Sequence, residues 1–591
     1  MRYIYQNFKP MNKIVPLFII LLFGFKVYGQ QSPFEISKGI QTTSYQEAIS
    51  FYQILSKKYP KQAKLLLYGK TDFGKNLHLM VLSRDGDFNP KSIKAKGKRI
   101  LLINNGIHPG EPEGIDASMM LARNLLMKNE LPNNQVIAII PIYNIGGSHN
   151  RTGTSRANQN GPLAYGFRGN AKNYDLNRDF IKTDSKNSWS FQQLFNLWQP
   201  DIFVDTHTSN GADYSYTMTL IPAQKDKLHP ILAKYLTEKM LPAIQLGMKQ
   251  KGIELAPYIN SVKSTPDDGI MGFMESPRYS TGYAALHNCI GFMPETHMLK
   301  PFNLRVEATY KLLKTYINVI EQDAQQIGVL KAEAENQTSK QNTFVLDWKL
   351  DTKKYEEIEF KGYTAKYKQS EVSNELRLYY DRNEPYTKKI KQWNTFVPSI
   401  EVQKPYAYYI PQAWTKVIDL LKLNGVKLQQ LRNDTLLNME MYYIEQMKTS
   451  SRPYEGHYLH SDVQLKTKNQ TLTCYKGDYI AITNQKANRY LIECLEPQAP
   501  DSFFAWNFFD SILSMKEHFS PYIFEDTAAK LLQEQTDLKQ KLEDEKAKNP
   551  QLAQNGYAQL EFIYKNSPYF EETYMRYPIG RIKHSTNLNL Q

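Results

Sequence analysis

Apolar residues recur at helical spacing over positions 44–59, at Ala48, Phe51, Tyr52 and Leu55, which predicts an amphipathic helix. Two strand-like runs follow, at 63–68 and 77–82. The run Arg99-Ile-Leu-Leu-Ile-Asn104 is continuously apolar, as expected of a parallel strand buried on both faces. Residues 136–140 and 201–205 repeat that pattern, and 290–294 reads as one more strand. Helical patterns separate them: 113–127, with Pro112 near its first turn, then 189–198 and 230–251. A long helix is expected over 304–326. Strands alternating with helices predict an α/β domain with a mainly parallel, mixed sheet flanked by helices.

The pattern changes after residue 330. The stretch 331–342 is polar and reads as a linker. Short, aromatic-rich, alternating runs then predict a β-rich accessory domain over 343–500. One helix interrupts it at 414–423, ended by Gly425. Residues 501–591 hold an aromatic cluster (Phe503, Phe504, Trp506, Phe508, Phe509) and a charged helix over 526–548, with Leu531, Leu538 and Leu542 on one side.

At roughly 100–200 residues per domain, a chain of 591 residues accommodates these units. Forty tyrosines favour wet, tyrosine-lined surfaces or β-structure. The formal charge of +14 is spread over scattered Lys and Arg, with no nucleic-acid module, so no nucleic-acid partner is expected. Three cysteines make no disulfide framework. Cys474 and Cys494 could pair; Cys289 reads as a small buried residue. The first 29 residues read as an export signal: Lys13 after Met11, an apolar run over 15–25, then Val27-Tyr-Gly29. Cleavage there leaves Gln30 first, and nothing downstream is apolar and long enough to span a bilayer. The expected location is periplasmic or secreted.

Four segments carry candidate chemistry. His108 and Glu111 lie in Asn104-Asn-Gly-Ile-His-Pro-Gly-Glu-Pro-Glu-Gly114, between a strand end and a helix start, where open α/β sheets bind ligands. Such a loop can aim an imidazole nitrogen and a carboxylate at one zinc ion, about 2 Å from each. His207, in Asp205-Thr-His-Thr-Ser209, also follows a buried strand and completes a three-ligand set that leaves one position open. Asp205 or a nearby hydroxyl can hold the second nitrogen of a ligand histidine. In the loop 167–180, Arg178 offers a planar fork for a carboxylate, Asn177 an amide for the same group, and Arg168 a charge for a scissile carbonyl. Glu295 ends another apolar strand, where a carboxylate can take a proton from water and pass it to a leaving amine. His297, two residues on, would share its face. His457 and His460 form an H-x-x-H pair, a weak metal signal.

Taken in order, His108/Glu111, Asn177/Arg178, His207 and Glu295 resemble the motif set of the M14 metallocarboxypeptidase family. Tyr174-Asp-Leu-Asn-Arg-Asp-Phe180 is similar to the family's D-L-N-R-N-F segment, and Asn144-Ile-Gly-Gly147 to its N-P-D-G turn. The resemblance covers about residues 44–322. It implies a zinc carboxypeptidase-like fold, one zinc per chain on His108, Glu111 and His207, and removal of C-terminal residues from peptides or proteins. It further implies that Arg178 and Asn177 anchor the terminal carboxylate, that Arg168 assists at the carbonyl, and that Glu295 is general base and then general acid. The family's mobile tyrosine has two candidates here, Tyr279 and Tyr283. Alternatives on the same fold are an amidohydrolase of small N-acyl amino acids or a peptidase of cell-wall peptides. A non-catalytic binding protein would be expected to lack one of these residues.

Overall fold

The computed structural model describes residues 30–591; the expected export signal, residues 1–29, lies outside the described residues. The central sheet contains β1 (Ala63–Lys70), β2 (Asn76–Leu82), β3 (Arg99–Asn104), β4 (Gln135–Ile140), β5 (Ile202–Asp205), β6 (His207–Ser209), β7 (Met218–Pro222), β8 (Leu255–Pro257) and β10 (Ile290–His297). The short β9 (Ile270–Met271) pairs instead with the accessory region. The order is β1-β2-β4-β3-β5-β10-β7-β8, with β6 continuing the β5 edge alongside β10. Strands β4, β3, β5 and β10 are mutually parallel; β1 and β2 run antiparallel to their neighbours, and β7 is antiparallel to β10 but parallel to β8. This is the mixed, mainly parallel α/β sheet that the apolar runs predict. Its central strands are hydrophobic throughout because helices cover both faces.

One face packs the helices Tyr45–Lys58, Glu113–Met127, Leu241–Gln250 and Phe302–Lys340 around Leu101, Ile103, Ile137 and Val204. Ser44 and Glu47 close a capping box on the first of these. The other face packs helix Lys186–Trp198, and its core runs on without a break into the accessory domain, through Tyr408, Leu421, Tyr490, Phe504 and Trp506.

The expected linker at 331–342 is a correction. Helix Phe302–Lys340 passes through most of it, with Ile327, Lys331, Ala334 and Thr338 extending its buried stripe. Lys331 Nζ donates to the Pro200 carbonyl at 2.5 Å. Ala, Glu, Lys and Gln are strong helix formers, so polarity marked an outward face.

The accessory region is β-rich, as expected. Strands β11 (Thr343–Leu350) and β14 (Phe396–Gln403) pair, as do β12 (Glu356–Gln369) and β13 (Leu376–Trp393). A six-stranded sheet holds β15 (Ala407–Ile410), β16 (Gln429–Gln430), β17 (Thr435–Thr449), β18 (His460–Cys474), β19 (Tyr479–Ile482) and β20 (Gly580–Ile582). The last strand pairs with β15 and β17, so the chain returns to this sheet after its helical segment. The expected helix at 526–548 is two helices, Pro521–Glu534 and Thr536–Lys548, broken at Gln535. Leu531, Leu538 and Leu542 share one small core. Cys474 and Cys494 are free and buried in separate clusters, so they do not pair. No helix among the described residues is long and apolar enough to cross a membrane.

Candidate metal centre and substrate pocket

The site forms where β3, β5/β6 and β10 end. Beyond Asn104 the chain turns through His108-Pro-Gly-Glu111, closed by the Glu111 N–H donating to the His108 carbonyl at 2.9 Å. Helix Glu113–Met127 then starts so close to the β5–β6 turn that a Cβ on Gly114 would lie 2.0 Å from Thr206 Oγ1. Only glycine allows this approach, which brings Glu111 against β6. His207 opens β6, and Glu295 stands beside it in parallel register on β10.

His108 Nδ1 lies 3.3 Å from Glu111 Oε1, and His207 Nδ1 lies 3.0 Å from Glu111 Oε2. Ligand atoms of the three residues fall within 4.8 Å of one another, the only such metal-competent group among the described residues. Both imidazoles turn Nε2 outward to a carboxylate: His108 to Asp175 Oδ1 at 2.8 Å and His207 to Asp205 Oδ2 at 3.0 Å. With its proton on Nε2, each ring presents a lone pair at Nδ1 toward the common centre. His108 Nδ1 is buried with no hydrogen-bond partner. A buried, orphaned imidazole nitrogen facing a carboxylate and a second imidazole fits a zinc ion, whose usual donors these are.

Charge in the pocket is concentrated. Burial would raise the Glu111 carboxyl, but Arg156 and His108 outweigh it and hold it well below the carboxylate range. Burial, with the Glu111 charge beside it, pushes Glu295 up to about 8 against the pull of His207. Burial would lower His207, yet Asp205 and Glu111 raise it. Asp175 is held far down: His108, Arg168 and Arg178 together overcome its desolvation.

The cavity around these groups has a volume of about 330 Å³. His108, Glu111, His207, Glu295, Arg168, Asn177, Arg178 and Tyr279 all line it. Arg178 lies under the Tyr279 ring, with 4.3 Å from guanidinium carbon to ring centroid. Asn177 Oδ1 accepts from the Ser280 N–H at 3.0 Å, tying the 167–180 loop to the tyrosine segment. Arg168 Nε donates to Asp175 Oδ2 at 2.9 Å. Asn144 caps helix Ile145–His149 and donates to the Arg168 carbonyl at 2.9 Å, so the 144–147 turn supports this loop.

Tyr283 is a correction. It is fully buried in the core on helix Ser280–Leu286, its hydroxyl donating to Asn424 Oδ1 at 2.6 Å, and it does not line the cavity. The same hydroxyl accepts from Asn196 Nδ2 at 3.1 Å, so it is held between helix Lys186–Trp198 and the accessory region. His297 shares the strand face of Glu295 but bonds to the Ala212 carbonyl at 2.9 Å and packs on Tyr214, away from the metal donors. His457 and His460 bind separate carboxylates, Asp184 at 2.7 Å and Asp510 at 3.0 Å, and form no metal site.

Three cavity or supporting residues escaped the sequence reading. Arg156 donates to Glu111 Oε1 at 2.7 Å and to the Thr208 carbonyl at 2.9 Å. Its stretch, 151–160, is polar and irregular and carries no signal. Tyr258 lines the cavity, its phenol raised by burial and by the nearby charges of Glu295 and Glu111. Asp175 was inside a recognised segment; a carboxylate two residues before Asn177 was the available clue.

Residues 48–212 match the family model described as zinc carboxypeptidase. The chain is 23% identical over 457 residues to "Carboxypeptidase 2" of Trichophyton rubrum, an alignment covering 73% of this chain and 78% of the relative. It is 22% identical over 460 residues to "Probable carboxypeptidase 2" of Arthroderma benhamiae, covering 73% and 79%. A metallo-carboxypeptidase structure from Burkholderia cenocepacia is similar at 15% identity and a TM-score of 0.35, over 48% of this chain and 70% of that one. The family match over residues 48–212, with the His–Glu–His donor set in the matching motif order, makes this part of the chain similar to the zinc carboxypeptidases.

Proposed function

We propose that this metallocarboxypeptidase removes single residues from peptide C-termini, with His108, Glu111 and His207 holding one zinc ion. Zinc bound there supplies Lewis acidity toward a carbonyl oxygen and lowers the pKa of water. Arg178, clamped under Tyr279, offers a fixed charge for the terminal carboxylate, and Asn177 shares its loop. Arg168 and Arg156, both on Glu111, set positive charge beside a scissile carbonyl and offset charge that develops on its oxygen. Glu295, buried next to His207, takes a proton from the attacking water on its carboxylate and returns it to the leaving amine. Asp175 and Asp205 keep the Nε2 protons in place, so that each Nδ1 stays a donor atom.

The observation that carries this reading is the single cavity that joins the His–Glu–His centre, Glu295 and Arg178. The test compares free-acid with C-terminally amidated peptides. Wild-type enzyme should strongly prefer the free acid. Arg178→Ala should erase most of that preference, since it removes charge-assisted bonds worth on the order of 1.5–3 kcal/mol each. Equal rates on both peptides in the wild type would instead describe an endopeptidase or amidase using the same centre.

A further inference from the structure

The hairpin that joins β17 to β18 leaves the accessory sheet and ends against the peptidase loop. Its tip is a tight turn: the Tyr454 N–H donates to the His457 carbonyl at 2.7 Å, and the His457 N–H donates back at 3.1 Å. Between them Glu455 and Gly456 have φ of 50° and 84°. Turns of this kind favour Asn or Gly at both positions, so glutamate carries a backbone cost there. What it gains is a contact: Glu455 Oε2 accepts the Asp175 backbone N–H at 2.8 Å. Gly456 lies against Tyr174, where a Cβ would come 3.1 Å from the ring. His457 Nε2 reaches Asp184 Oδ2 at 2.7 Å. Arg278, paired with Asp501 at 2.7 Å, sits 5.5 Å from the Tyr454 ring and 5.0 Å from Trp506, bracing the tip from the other side.

The same tip meets the proposed carboxylate anchor. Tyr454 Oη accepts a hydrogen bond from Arg178 Nε at 2.9 Å. Arg178 Nη1 donates to the Asn177 carbonyl at 2.8 Å, and Tyr279 covers the guanidinium face. A guanidinium can fork a carboxylate along either of two edges: Nε with a terminal nitrogen, or the two terminal nitrogens together. Tyr454 occupies Nε and so closes the first edge. Among the described residues Nη2 meets no protein acceptor, and Nη1 keeps a second N–H beside its bond to Asn177 while Nε has only the one that Tyr454 takes, so the second edge is the one left for a ligand. Tyr454 stands behind Arg178 and is not part of the cavity lining.

We propose that the accessory domain completes the substrate-anchoring subsite, with Tyr454 as the positioning residue that fixes which edge of Arg178 a terminal carboxylate meets, and Glu455 holding the loop that carries it. This rests on the reading of Arg178 as the anchor. Tyr454→Phe in the full chain removes one oxygen from a half-buried side chain and keeps the ring. KM for free-acid peptides should rise roughly tenfold, as for loss of one charge-assisted hydrogen bond, with kcat nearly unchanged. The free-acid to amide preference should fall in proportion, while zinc content and thermal midpoint hold. A folded Tyr454→Phe enzyme with wild-type KM and wild-type preference overturns the proposal. Glu455→Gln, which keeps the turn but weakens the acceptor on Asp175, should move KM in the same direction; if Tyr454→Phe does not fold, an unchanged KM in Glu455→Gln overturns it instead. Arg178→Ala separates the two levels. If it too leaves the preference intact, the anchor reading fails; if it abolishes the preference and Tyr454→Phe does not reduce it, only the role of the accessory domain fails.

Discussion

Asp175 is the carboxylate on which the centre depends most, and Asp175→Asn measures it. Oδ1 accepts from His108 Nε2 at 2.8 Å and from the Asn177 N–H at 2.9 Å, while Oδ2 accepts from Arg168 Nε at 2.9 Å. Three donors converge on two oxygens. An amide can keep its oxygen toward His108 and Asn177, but its NH2 then faces the Arg168 N–H, donor against donor. The flipped amide faces His108 with a donor and forces that proton onto Nδ1, where the metal needs a lone pair. Either way one charge-assisted bond is lost, worth about 1.5–3 kcal/mol. That corresponds to zinc affinity lower by roughly 10–100-fold, the usual effect of losing a carboxylate behind a ligand histidine. Asp205→Asn is the internal control. Asp205 Oδ2 accepts from His207 Nε2 at 3.0 Å and Oδ1 from Asn104 Nδ2 at 2.9 Å. Asn104 Oδ1 is buried without a partner, so a flip of Asn104 presents an acceptor to the new amide. The two substitutions should therefore rank clearly, Asp175→Asn the more damaging. Chelator competition gives the zinc Kd of each. An unchanged Kd in Asp175→Asn, or the reverse ranking, would refute the reasoning.

His207→Ala leaves two of three donors and should lose most bound zinc and activity together; full occupancy by elemental analysis would show that His207 is no ligand. Glu295→Gln should keep zinc and peptide binding while kcat falls by roughly 10²–10⁴, and a variant with near-normal kcat would place the proton acceptor elsewhere. Glu275 gives a pH prediction away from the centre. It is fully buried, and burial lifts its carboxyl from 4.5 to about 7 against the opposing charge of Lys227. The native state then holds the proton longer than the unfolded chain, so this group's stabilisation is complete below about pH 4.5 and is lost as pH rises toward about 7. Wild-type stability should fall through that window by on the order of 3 kcal/mol more than Glu275→Gln, and parallel denaturation curves would dismiss the effect.

What could be read from the chain alone follows a physical divide. Ile100–Ile103, Val136–Ile140 and Ile202–Val204 are buried on both faces, and continuous apolar runs announce such strands without any partner in view. His108, His207 and Glu295 follow such runs directly, so their convergence at one sheet edge was implied by strand order once the strands were recognised. Polar composition was a poorer guide. The residues from Lys331 onward bury only Lys331, Ala334 and Thr338 before Lys340, too sparse a stripe to stand out from a linker. Tyr279 and Tyr283 looked equivalent in sequence; Tyr279 is the extended N-cap residue of helix Ser280–Leu286 and reaches the cavity, whereas Tyr283 lies inside the helix and is buried in the core.

Contacts between distant segments left no local trace at all. Tyr454 lies 276 residues from Arg178, and Glu455 lies 280 from Asp175. In sequence their neighbourhood offered only the weak H-x-x-H signal of His457 and His460; the glutamate where a left-handed turn prefers Asn or Gly shows only in the fold. A hairpin of fifteen-residue strands is far longer than its sheet needs, because β17 and β18 pair past the edge where β20 and β15 stop. That extra length is what carries the tip across to the peptidase loop. The core that joins the two regions, from Phe191 and Tyr283 through Tyr490 to Trp506, is continuous, so the tip is delivered by a packed body and not by a tether. A pocket whose anchor arginine is braced in this way should lose peptide affinity before it loses zinc when the accessory domain is loosened. The order in which those two properties fail under mild denaturant would distinguish a domain that shapes the site from one that merely covers it.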